Sequence, residues 1–164
     1  QKTIGLLMAG VLLGLAIAVG FDQTMSFTNT ERFCLSCHNH AIPDEEYKLS
    51  KHFSNRSGVS ATCADCHVPH GFSPKIIRKI AASKEVLGHF TGVINTNEKY
   101  MAHREEMKRH EIDRLVANDS QECRYCHNEV RMDFSSQSRK ARKEHKDDEG
   151  KTCIECHSGL VHTP

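Results

Sequence analysis

Four short stretches carry the chemistry of this chain: Cys34-Leu35-Ser36-Cys37-His38, Cys63-Ala64-Asp65-Cys66-His67, Cys123-Arg124-Tyr125-Cys126-His127 and Cys153-Ile154-Glu155-Cys156-His157. All 8 cysteines fall in them, and each stretch ends in histidine. Two thiols at this spacing add to the two vinyl groups of one haem, and the adjacent imidazole then reaches the iron from one side. Two other uses of Cys-x-x-Cys compete. Zinc ribbons close a tetrahedral site with four thiolates, and thioredoxin-like proteins use one pair for redox exchange. Neither requires a histidine directly after the second cysteine. Four covalently bound haem c groups are therefore expected, with Cys34, Cys37, Cys63, Cys66, Cys123, Cys126, Cys153 and Cys156 as attachment points.

The rest of the chain must hold these motifs. The 164 residues amount to one domain's worth of chain, without tryptophan and with few aromatics. A conventional core would be small for this length, and four macrocycles would supply much of it. Haem attachment of this kind places the motifs on the outer side of the cytoplasmic membrane, which gives a periplasmic location. A net charge of +1 excludes the basic footprint of a nucleic-acid-binding protein.

Ile4 to Phe21 is an almost unbroken apolar run without charge. As a helix it spans roughly 27 Å at about 1.5 Å per residue, close to the hydrocarbon thickness of a bilayer. A cleaved signal peptide is the competing reading, but the run is long for one and Ala18-Val19-Gly20 is a weak cleavage site. A retained transmembrane anchor over residues 1–22 is expected, with Lys2 inside and the motifs outside. Gly10 and Gly14 form a small-residue pair suited to homo-oligomer formation through the membrane helix. Asp22 to Arg32 is expected as a short polar connector to the first motif.

Beyond the anchor, residues 23–164 form one periplasmic tetrahaem domain. His38 and His67 are spaced much as His127 and His157 are, and a further histidine lies between each pair: His52 in one half, His145 in the other. Two dihaem units, about 30–72 and 120–164, are thus joined by a helical insert at 73–119. Ser73-Pro74 supplies a cap and a first-turn proline for one insert helix, on which Ile76, Ile77, Ile80 and Leu87 recur near helical spacing. A second helix is expected from about Glu98 to Ala117, with Met101, Ile112 and Leu115 on its apolar side, broken by Asn118-Asp119-Ser120. A third, polar helix is expected over Arg131 to Glu144. No stretch shows the period-two alternation of a strand. The fold class is mainly α: one N-terminal transmembrane helix plus a loop-rich tetrahaem domain.

Eight of the 12 histidines lie outside the motif ends. By position His52, His145 and His162 are the best second ligands for haem iron, whereas His103 and His110 lie on a charged helix and are expected in solvent. His89 suits a helix end, and His70 suits a hydrogen bond to a haem propionate. Lys79 and Glu85 lie on a basic amphipathic helix that can rest on lipid headgroups. There they offer a donor and a proton acceptor for a quinol. A solvated charged face is the plainer reading of both residues.

The chain resembles the NapC/NirT/NrfH family of membrane-anchored multihaem cytochromes, closest in look to the NapC branch. The resemblance covers nearly the whole chain. It rests on the anchor, the four motifs, Cys63-Ala-Asp-Cys-His-Val-Pro-His70, Ala82-Ser-Lys-Glu85, Asn118-Asp-Ser-Gln-Glu-Cys123 and Lys151-Thr-Cys-Ile-Glu-Cys-His157. It implies that His52 serves the third haem, His162 the second and His145 the fourth, opposite His127, His67 and His157. NrfH-like members lack that last histidine, so its presence favours the NapC side. It implies that Lys79 and Glu85 match the family's quinol-site lysine and acidic residue. In this family the first motif is usually followed by a methionine ligand, where this sequence has His40. His38 and His40 are thus alternative ligands of the first iron. The implied function is quinol oxidation from the membrane quinone pool, with electrons passed to a periplasmic reductase or cytochrome such as nitrate reductase. The same site run in reverse, as a quinone reductase, is one alternative. A membrane-tethered electron relay without quinone chemistry is another.

Overall fold

Helices and short turns make up the described residues, which are 1–37, 41–147 and 150–162 of the computed structural model; no strand occurs among them. Helix α1 covers Lys2–Phe27, and it is long and apolar enough to cross a membrane. Its 26 residues run past the expected connector start at Asp22. The polar side chains there do not break the helix because they bond back along it. Thr24 Oγ1 donates to the Gly20 carbonyl at 2.7 Å, and Thr28 Oγ1 to the Thr24 carbonyl at 2.8 Å. The chain turns at Thr28, and Thr30 Oγ1 accepts from the Phe33 amide at 3.2 Å at the start of α2, Glu31–Cys37.

Helix α3 is Ala41–Leu49. Tyr47 on it is buried, donates to the Ala61 carbonyl at 2.5 Å and meets Phe53 edge-on at 5.2 Å. The second motif is α4, Cys63–His67, and the fourth is α9, Cys153–His157. Helices of five residues are too short to hold themselves. Both carry a capping box written into the motif. The Thr62 amide donates to Asp65 at 2.7 Å, and the Thr152 amide to Glu155 at 2.6 Å.

Helix α5, Phe72–Phe90, begins earlier than Ser73-Pro74 implied, with Gly71 as its cap. Pro74 then falls within the first turn, where its missing N–H has no helical acceptor to lose. Helix α6 is Asn97–Ala117, capped where Thr96 Oγ1 accepts from the Lys99 amide at 3.3 Å. Leu115 is its buried residue, whereas Met101, expected on the apolar side, is 49% exposed. The third motif lies on α7, Gln121–Cys126. The polar helix expected over Arg131 to Glu144 is split. Asp133 accepts from the Ser135 amide at 2.9 Å and holds a 3₁₀ turn at Phe134–Ser136. Ser138 Oγ accepts from the Ala141 amide at 3.2 Å and caps a new helix, α8, at Arg139–Lys146.

Helix α2 packs on α4, α4 on α7, and α6 on α9. The buried apolar side chains among the described residues are Tyr47, Pro69, Ile94 and Leu115. So sparse an interior does not hold a domain of this length by polypeptide packing alone.

Candidate functional site

The motifs line up in space in their chain order. Burial pushes the Cys63 and Cys66 thiols up to about 11, and the Cys123 thiol also rises. After burial, the next contribution to each comes from a neighbouring motif: Cys34 on Cys63, Cys123 on Cys66, and Cys153 on Cys123. Two polar ties fix this order. Arg114 donates to the Cys66 carbonyl at 3.1 Å, joining α6 to the second motif. The fully buried Ser120 accepts from the Ile154 amide at 3.1 Å and links the third motif to the fourth. Asp119 and Ser120 both adopt positive φ, 57° and 48°, to turn the chain there. Left-handed backbone at such residues costs roughly 1–2 kcal/mol each.

Each described motif histidine faces a second imidazole. Ring centroids lie 6.2 Å apart for His67 and His162, 6.0 Å for His127 and His52, and 6.0 Å for His157 and His145. Two metal–imidazole bonds of about 2 Å, added to the ring radii, put the centroids of a coaxial pair about 6 Å apart. Burial, then the neighbouring His127, lowers the pKa of His52; burial, then the neighbouring His67, lowers that of His162. Both are thereby biased to the neutral form that binds metal. The donor set and the spacing fit an iron between each pair. Among the described residues no group of three or more His, Cys, Asp or Glu side chains forms a closed metal cluster. His38 and His40 lie outside the described residues.

The other histidines have different neighbours. His70 stacks on Tyr125 with centroids 3.5 Å apart, and His89 sits edge-on to Phe90 at 5.6 Å. His103 Nδ1 meets the Lys99 carbonyl at 2.8 Å, while the His110 side chain is 76% exposed.

Lys79 and Glu85 are not brought together. Six positions along a helix leave them about 120° apart around its axis. Lys79 Nζ donates to Thr28 Oγ1 at 2.7 Å and to the Thr28 carbonyl at 3.3 Å, at the end of α1. Burial lowers its pKa, with Cys34 opposing that shift. Glu85 instead accepts from Arg78 at 3.2 Å and stays 45% exposed. Helix α5 also exposes Phe72, Ile77, Ile80, Leu87 and Phe90, and Phe72 meets Phe21 of α1 at 6.2 Å.

One constellation had no sequence signal. Glu111, one of many charged residues on α6, accepts from His67 Nδ1 at 2.9 Å and from Arg114 Nη2 at 2.7 Å. Burial pushes its carboxyl up, but the bonds from His67 and Arg114 outweigh this and hold it at about 2. Arg114 also donates to the buried Glu122 at 2.7 Å.

Known proteins align along this whole architecture. The description "NapC/NirT cytochrome c family, N-terminal region" matches residues 1–164. A cytochrome c-type protein NapC of Haemophilus influenzae is 51% identical, over 91% of this chain and 75% of its own. A putative tetraheme cytochrome-c type protein of Allochromatium vinosum is 47% identical, over 98% of this chain and 90% of its own. A denitrification system component NirT of Stutzerimonas stutzeri is 44% identical, over 96% of this chain and 80% of its own. No solved structure matches. A match over every residue, with relatives this similar along three quarters or more of their own length, leaves one conclusion: the chain belongs to the NapC/NirT cytochrome c family.

Proposed function

We propose that this tetrahaem cytochrome c is anchored in the cytoplasmic membrane by α1, oxidises quinol at the membrane face, and delivers the electrons to a periplasmic redox partner such as nitrate reductase. The observation that carries the reading is the set of three facing imidazole pairs on motifs that follow one another in space. His67 with His162, His127 with His52, and His157 with His145 hold three irons, and His38 or His40 holds the first. When bound, the haems would supply one-electron transfer, handed on in the order of the motifs.

The quinol side of the proposal rests on α5. Its exposed apolar row and its contact with α1 suit a helix lying in the headgroup layer. Lys79, beside the end of α1, orients a quinol head group by donating to its oxygen. Glu85, exposed on the neighbouring face, takes up a proton released as quinol is oxidised. The relative named NirT is a denitrification component, which agrees with a partner in nitrogen-oxide respiration.

The test is quinol-dependent haem reduction in proteoliposomes for the native chain, Lys79→Ala and Glu85→Ala. Rates that fall in both variants at full haem content support the quinol site. The angular separation of Lys79 and Glu85 favours a second reading, an electron relay fed by another protein. Normal rates in both variants, with no response to a quinol-site inhibitor, would establish that reading instead.

A further inference from the structure

The three imidazole pairs differ in what stands behind them. His67 donates from Nδ1 to Glu111 at 2.9 Å, an ionised acceptor gripped by Arg114. Its partner His162 has Glu46 Oε2 at 3.5 Å from Nδ1, too long for a good hydrogen bond but close for a charge. Behind the fourth motif the acceptor is neutral: Gln137 Oε1 lies 2.8 Å from His145 Nδ1. Behind the third, His52 Nδ1 is buried without a hydrogen-bond partner. A carboxylate accepting the outer N–H of a ligating imidazole increases the basicity of the ring toward metal and favours the more highly charged iron.

We propose that the second haem, held by His67 and His162, is the lowest in potential of the three imidazole-paired haems, with Glu111 as the positioning residue that sets it. The inference rests on the ligation proposed above. Neighbouring cations do not cancel the effect. Arg78 Nη2 lies 4.0 Å from Glu111, and Arg114 joins Glu111 to Glu122. With Glu85 on Arg78, this connected set contains three carboxylates and two guanidiniums, and so carries net negative charge. On the other side, Arg104 balances Glu46 through contacts of 2.8 and 3.0 Å. What remains behind His67 is a charged acceptor in direct hydrogen-bond contact with the ring.

The experiment is a spectroelectrochemical titration with electron paramagnetic resonance of the oxidised protein. The second haem is identified as the low-spin signal lost in His162→Ala. In the native protein its couple is expected lowest of the three. Glu111→Gln is expected to shift it upward by at least tenfold in the reduction equilibrium, about 59 mV for one electron. Glu111→Asp, which keeps the charge, should fall between. Glu122→Gln removes the same charge from a carboxylate that reaches Arg114 but not His67, and should leave the couple within threefold. Equal shifts in Glu111→Gln and Glu122→Gln, or no shift in either, would overturn the proposal while three bis-imidazole signals kept the ligation reading intact. Should Glu111→Gln fail to assemble, the native order still decides: a second haem that is not the lowest refutes it. Fewer than three bis-imidazole signals in the native protein would defeat the ligation reading itself.

Discussion

Lys79 Nζ donates to Thr28 Oγ1 across 2.7 Å, so the amphipathic helix α5 is tied by one half-buried cation to the end of the membrane helix α1. The same ammonium is proposed to meet the quinol head group, and these two roles make different predictions. Thr28→Val removes the hydroxyl acceptor and leaves Lys79 a carbonyl. If Lys79 serves only as a tether, Thr28→Val and Lys79→Ala should slow quinol-dependent reduction alike. If it orients quinol, Lys79→Ala should be far slower than Thr28→Val. Stopped-flow haem reduction in proteoliposomes separates the two.

Glu85 carries the proton-transfer half of that reaction. Loss of a general base typically costs on the order of 10²–10⁴ in rate. Glu85→Ala is expected to fall in that range for quinol oxidation. Reduction of the same protein by dithionite should be unchanged, because that reaction releases no quinol proton. A matching loss with dithionite would place the defect in the haems rather than at the quinol site.

The motifs were legible because their chemistry is local, a fixed spacing read directly along the chain. The resemblance assigned His162 to the second haem across more than ninety residues of chain, and in the structure His162 faces His67. Glu111 was not legible. Its role depends on which turn of α6 lies beside the second motif, and one carboxylate among the many charged side chains of that helix carries no periodic signal of that. The early expected ends of α1 and the unbroken third helix erred for a related reason. Thr24, Thr28, Asp133 and Ser138 settle those ends through single side-chain bonds, two continuing a helix and two interrupting one.

Glu122 is buried, held by Arg114 at 2.7 Å and by Asn118 at 2.9 Å. Burial raises its pKa, but the bonds from Arg114 and Asn118 outweigh this and leave it below its ordinary value of 4.5. A depressed carboxylate stabilises the fold above its unfolded value, and that contribution fades as pH falls from 4.5 toward the folded one. Glu122→Gln should lose about 1.5–3 kcal/mol at pH 7, the worth of a charged hydrogen bond. The difference from native protein should narrow below pH 4.5. Thermal unfolding across that range checks the sign: a gap that widens on acidification would contradict it.

The cofactor count follows from cysteine use. Intact mass and haem-stained denaturing gels should give four covalent haems per chain, since all 8 cysteines belong to the four motifs. His52→Ala and His145→Ala should each keep that count and convert one low-spin signal to high spin. A loss of mass with either would mean that these histidines are needed for haem attachment or folding and are not only iron ligands.

The first haem is expected to differ from the rest. Three pairs account for His52, His67, His127, His145, His157 and His162. His70, His89, His103 and His110 have the other surroundings given above. The proposed ligation gives the first iron His38 or His40, the last residue of the first motif or the histidine two positions after it in the sequence. An imidazole there in place of the family's methionine is a stronger donor to ferric iron, so the potential should lie below that of a methionine-ligated site. A quinol approaching on the opposite face needs that face free of a strong ligand, and Glu85 is too weak a donor to force low spin. The oxidised protein is therefore expected to show one high-spin or weakly six-coordinate haem beside three bis-imidazole haems. His40→Ala should alter the high-spin signal if His40 is the ligand, and His38→Ala should alter it otherwise. Four bis-imidazole signals would close the face where quinol is proposed to bind.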